Sequence, residues 1–200
     1  MKIDTMQILL DRCFQLAKLS NCAKRQFGSV IVPTNSLYTE YRDPHKLFAQ
    51  IKGYGINHIA GWDECSSCLR NGIASGTRME LCRAIHAEQD AILDCFRHHK
   101  QLETLKEHSL VVHGRIGNKR LLKEKPAFYC TFCVRLMTEV GIGWVIVPTL
   151  RGPAALTITE AWNSAYETAI SGQDLVKELS DDYRRPPPGA GAGGEGGNRE

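Results

Sequence analysis

The feature that most constrains this chain is a set of metal-type side chains split between two segments. His86-Ala87-Glu88 is followed by Cys130-Thr131-Phe132-Cys133, whose first cysteine lies 130 − 88 = 42 residues after Glu88. One imidazole and two thiolates make three ligands, the number catalytic zinc takes from protein while a fourth position stays open; structural zinc is usually closed by four. A fold that uses them has to bring two distant helix starts together. Ala84, Ala87, Ala91 and Cys95 recur on one side of a helix beginning around Ala84, with Asp94, Arg97 and Lys100 facing water. Thr131 to Val140 has the pattern of a second helix. First turns carry unpaired N–H groups and the positive end of the macrodipole, which favours thiolates at Cys130 and Cys133. Glu88, two residues beyond His86, is placed to project near a metal without binding it and to shuttle protons there. His-x-Glu alone is common by chance; joined to a downstream Cys-x-x-Cys it becomes specific.

The remaining thiols are Cys13, Cys22, Cys65, Cys68, Cys82 and Cys95. A disulfide framework suits small secreted scaffolds, and this chain is longer than those. Asp4, Asp11 and Arg12 also interrupt the N-terminal apolar residues before a signal core of about 7–15 residues can form, so the protein is expected to be cytoplasmic. Cys65, Cys68 and Cys82, with His58 as a candidate fourth ligand, could hold a second, structural metal; reduced thiols packed in a loop are the competing reading. A four-cysteine knot of Cys65, Cys68, Cys130 and Cys133 would leave the His-x-Glu element without a role. Cys13, Cys22 and Cys95 suit small buried hydrophobes.

With 200 residues, 42% of them hydrophobic, the chain can bury one substantial core. A single domain over residues 1–183 is expected, followed by a disordered Pro/Gly-rich tail over 184–200. Lys plus Arg minus Asp plus Glu gives 25 − 22 = +3, spread along the chain, which argues against an extended nucleic-acid footprint. No apolar run approaches the roughly 20 residues of a membrane helix. Helical spacing from Met6 predicts a first helix ending near Ser20. Strands are predicted at Gly28 to Val32 and Leu47 to Ile56, forming a hairpin, and at Ser109 to His113 and Gly143 to Val147. Residues 57–83 form a long functional or metal-stapled loop, and a last helix spans Thr157 to Ile170. Alternating strands and helices predict an α/β sheet with helices on its faces. His98 and His99 suit a solvated helix end, and Lys24 and Arg25 either a surface pair or a phosphate contact.

Several segments together resemble the zinc-dependent cytidine and deoxycytidylate deaminase superfamily, most closely its deoxycytidylate branch. They are Asn21-Cys22-Ala23-Lys24-Arg25 before Gly28-Ser29-Val30-Ile31-Val32, Gly53-Tyr54 with Asn57, Cys82-Arg83-Ala84-Ile85-His86-Ala87-Glu88-Gln89, and Gly141-Ile142 after the cysteine pair. The likeness covers roughly residues 3–150. The chain departs from the pattern at Tyr129, where the family usually has proline before the first cysteine, at Asp90, where Asn is usual, and in Gly53-Tyr54-Gly55-Ile56-Asn57. The resemblance implies a three-layer α/β/α sandwich with a mixed central sheet, Zn2+ held by His86, Cys130 and Cys133, and Glu88 as the proton carrier. It further implies hydrolysis of a cytosine amine, with dCMP converted to dUMP. Asn57 becomes a candidate substrate contact, the ligand a small pyrimidine nucleotide, and the assembly a homo-oligomer. Two other readings compete: deamination of a base within RNA or single-stranded DNA, and a catalytically inactive zinc protein that binds nucleotide.

Overall fold

The structure, a computed structural model, describes residues 1–59, 61, 67–73 and 77–171. Cys65 and the segment 184–200 therefore lie outside the described residues. Helix α1 (Ile3–Leu16) is followed by strand β1 (Gln26–Pro33), helix α2 (Pro44–Phe48) and strand β2 (Gly53–Ile56). Short strands β3 (His58–Ile59) and β4 (Ala84–Ile85) precede helix α3 (Ala87–His98). Then come β5 (His108–Ile116), β6 (Lys119–Arg120), α4 (Thr131–Glu139), β7 (Trp144–Thr149), β8 (Gly152–Thr157) and α5 (Ile158–Ser171).

Five strands lie side by side in the order β2-β1-β5-β7-β8, with β6 pairing back on β5. Only β5 and β7 run parallel, in register from Ser109 opposite Trp144 to Val111 opposite Ile146; the other pairs are antiparallel, so the sheet is mixed. Successive strand residues face opposite sides, and β1 shows what that does. Val30 and Val32 join Leu9, Leu10 and Cys13 of α1, together with Val111 and Ile146, in one core. Ile31 points the other way, into a core with Leu110, Val112, Ala91, Ile92, Val134 and Met137, to which Ala161 and Ala165 of α5 also belong. Helix α1 thus covers one face and α3, α4 and α5 the other, giving the expected three layers. Each fully buried Leu, Ile or Val contributes about 1.5–3 kcal/mol. Among the described residues no helix is long and apolar enough to cross a membrane.

Several boundaries differ from the sequence expectation. Leu47 lies in α2 rather than in a strand: Asp43 accepts the His45 N–H at 2.9 Å and Pro44 stands in the first turn, so the segment nucleates a helical turn. The strand begins only at Gly53. Ala84 and Ile85 pair with Ile59 and His58 in a small separate sheet, so α3 starts after His86. Strand β8 had no clear signal, since Gly152-Pro153-Ala154-Ala155 lacks β-branched residues. It takes Thr157, and α5 begins one residue later. There Glu160 Oε2 accepts the Thr157 N–H at 2.7 Å and Thr157 Oγ1 accepts the Glu160 N–H at 3.2 Å, a reciprocal cap.

Strands β2 and β5 are both antiparallel to β1, so they point the same way. The chain reaches α3 after β2 and α4 after β5, and both helices therefore start at one end of the sheet. The crevice outside the carboxyl ends of strands is where open α/β sheets place ligands.

Candidate metal centre

His86 occupies the N-cap of α3 in extended conformation, and its N–H is held at 3.0 Å by Gln89 Oε1. Cys130 is the N-cap of α4 and accepts the Cys133 N–H on its sulfur at 3.3 Å. His86 Nδ1 lies 3.2 Å from Cys133 Sγ and 3.3 Å from Cys130 Sγ. All three donor atoms fall within 4.8 Å of one another, and among the described residues no other trio of His, Cys, Asp or Glu does so. Bonds of about 2.0–2.1 Å to nitrogen and 2.3 Å to sulfur at a tetrahedral angle separate N from S by about 3.5 Å. The donor chemistry and spacing therefore fit zinc.

Electrostatics point the same way. Hydrogen bonding from Cys133 and from His86 holds the Cys130 thiol well below its ordinary value against the effect of burial. Burial, with Cys130 alongside, pushes Cys133 well up. Burial pulls the His86 imidazole down, but Cys130 and Cys82 more than offset this and leave it well above 6.5. A divalent cation would favour the thiolate form of both cysteines.

Glu88 is only 8% exposed, and its Oε2 lies 3.7 Å from Cys133 Sγ. Burial raises its carboxyl above the usual range, with the nearby Cys130 charge in the same direction and His86 opposing. His86, Glu88 and Cys130 line a cavity of about 180 Å³. Its walls carry Phe27, Phe128 and Tyr129, together with the cations Lys24, Arg25, Arg70 and Lys123.

Asn57 lines the same cavity, with its amide engaged by protein. Oδ1 accepts the Phe27 N–H at 2.6 Å and the Ser20 hydroxyl at 2.8 Å, while Nδ2 donates to Arg25 O at 2.7 Å. Its evident task is to tie β2 to the start of β1. Lys24 is no surface pair: it lines the cavity, and its Nζ donates to the carbonyls of Arg70 and Ile73. His98 sits exposed at the end of α3 beside Asp94. His58 spends Nδ1 on Ile59 O at 3.1 Å and faces Asp90 Oδ1 with Nε2 at 3.6 Å. Cys68 and Cys82 both line the cavity, but they form no metal-sized cluster with His58 among the described residues.

Cys82 also touches the His86 imidazole. Its sulfur lies 3.4 Å from His86 Nε2, the nitrogen facing away from the other two thiols. Cys82 stands four residues before His86, and the sequence reading places it in a candidate second metal site with Cys65 and Cys68; this contact with His86 is not part of that reading. Lys123 gave no sequence signal, because the stretch 117–127 has no periodicity, and Tyr129 stood out only as the residue in place of the proline usual before the first cysteine.

Fold and site together define an α/β protein with a mixed sheet and a His/Cys/Cys cluster that could hold a metal ion. Compared with protein-family models the sequence matches none, and it matches no curated protein.

Proposed function

We propose that the protein is a zinc-dependent hydrolase that deaminates the cytosine ring of a small pyrimidine nucleotide, dCMP to dUMP. The observation that carries this reading is Glu88, a buried carboxyl beside a three-donor set, in the lining of a cavity of about 180 Å³. His86, Cys130 and Cys133 would hold a zinc ion, which would supply the Lewis acidity that makes water a competent nucleophile near neutral pH. Glu88 takes one proton from the attacking water and delivers it to ring N3 as the oxygen bonds to C4. It then passes the second proton to the exocyclic amine, the C4–N bond breaks, and ammonia leaves. No electrons are exchanged. Burial raises the Glu88 carboxyl above its ordinary value, a direction that suits a group that has to return protons as well as accept them. Phe27, Phe128 and Tyr129 offer apolar walls to a flat ring, and the surrounding cations suit an anionic ligand.

A homo-oligomer belongs to the same reading; Leu93 on α3 and Phe132 on α4 are large exposed apolar side chains. The deciding experiment gives zinc-loaded protein cytidine, CMP, dCMP and a cytosine-containing oligonucleotide and measures ammonia and the uracil product. Release from dCMP with weak salt dependence supports the proposal. Release from the oligonucleotide alone, falling steeply with salt, would transfer it to polynucleotides. No ammonia from any of them at full zinc occupancy overturns it.

A further inference from the structure

The cavity carries four cationic side chains against the single carboxylate of Glu88. Lys123 stands apart among them. Its main chain is pinned to the end of β7, where its carbonyl accepts the Leu150 N–H at 2.8 Å and it bridges to Thr149. Its Nζ donates to Ala127 O at 2.5 Å and lies 3.4 Å from the centroid of the Tyr129 ring. None of the ion pairs among the described residues involves it.

An ammonium has three donors, and one carbonyl uses only one of them. Burial brings Lys123 down to about 7, with Arg25 acting the same way and Glu88 opposing. The carbonyl and the aromatic face offset part of the burial cost. Negative charge entering the cavity would offset more of it, because a desolvated cation interacts most strongly with an anion sharing its low-dielectric surroundings. Tyr129, which holds the ammonium, directly precedes Cys130. One short segment therefore fixes both a metal donor and a cation at a set separation.

We propose that Lys123, braced by the Tyr129 ring and the Ala127 carbonyl, is the residue through which the cavity selects phosphorylated over unphosphorylated ligands. This rests on reading the cavity as a nucleotide site, and it assigns the selectivity to a segment where the chain departs from the pattern it resembles.

The test is calorimetric and needs no turnover. Binding of dUMP, deoxyuridine and inorganic phosphate is measured on the wild type and on Lys123→Arg, Lys123→Gln and Lys123→Met, with folding checked by circular dichroism. Gln retains a donor for Ala127 O and loses the charge; Arg retains the charge. The expected result is a drop of about 10- to 100-fold in the dUMP-to-deoxyuridine affinity ratio for Gln and Met, with Arg close to wild type. Phosphate binding weakens in parallel. An unchanged ratio in Gln, or a wild type that prefers neither dUMP nor phosphate, overturns the assignment. Should Met fail to fold, Gln and Arg decide. Ammonia release is scored separately, so loss of the deaminase reading and loss of this one give different results.

Discussion

Cys82 Sγ lies 3.4 Å from His86 Nε2, on the far side of the imidazole from Cys130 and Cys133. A histidine that binds metal through one nitrogen is oriented by whatever receives the N–H of the other. Burial raises the Cys82 thiol, but the hydrogen bond and charge of His86 outweigh it and leave the net shift downward, as expected of an acceptor. Cys82→Ala is expected to weaken zinc binding by about 10- to 100-fold, read by competition with a chromophoric chelator. Unchanged affinity would show that packing alone sets the imidazole.

Glu88→Gln keeps the shape and removes the proton carrier. Metal content, measured by atomic emission, should stay at the wild-type level, while ammonia release falls by about 10²- to 10⁴-fold. Loss of metal along with activity would instead assign Glu88 to the donor set.

Helix α3 rests on β2 with no side-chain layer between them at two positions. A Cβ at Gly53 would fall on the Ala91 carbonyl oxygen, and one at Gly55 on that of Ala87. Gly55→Ala should therefore destabilise the fold by about 3 kcal/mol or more in urea unfolding, since backbone rather than a pliable side chain has to yield. A midpoint equal to wild type would contradict this packing.

Asp90 accepts the Ile56 N–H at 3.0 Å, and Asp94 that of Tyr54 at 2.9 Å, so two carboxylates of α3 satisfy donors of strand β2. Asp90→Asn retains an acceptor and should change stability little. Asp90→Ala leaves a half-buried donor unmet and should cost about 1–2 kcal/mol. Equal losses in the two variants would place the effect in charge, through His58, rather than in the hydrogen bond.

His113 is buried beneath α1, with Nδ1 3.1 Å from Leu10 O and Nε2 without a hydrogen-bond partner. Burial lowers it from 6.5 to about 4, partly opposed by the Leu10 carbonyl. The unfolded chain therefore binds the proton first as pH falls. Stability from the neutral ring is complete above about pH 6.5 and is lost progressively down to about pH 4, a span of roughly 3 kcal/mol. Urea midpoints of wild type and His113→Gln should converge over that window; parallel curves would rule the residue out as the source.

Much of this architecture could be read from residue order because it follows local rules. The β-branched run at Val30-Ile31-Val32, the apolar spacing of α1 and the paired motifs at His86 and Cys130 each announce their element. What escaped depended on contacts between distant segments. Leu47 looks like a strand residue until Asp43 and Pro44 cap a turn ahead of it, and β8 exists because β7 offers an edge to Ala154 and Ala155. Lys123 acquires meaning only when Tyr129 folds beneath its ammonium.

Strand β1 is flanked by β2 and β5 running the same way, and from that arrangement the imidazole arrives on one side of the chain's midpoint and the thiols on the other. Any cation captured there acts as a clasp between the two halves of the polypeptide, closing a loop of more than forty residues. Grip on the ion and resistance to unfolding then become one free energy observed from two ends.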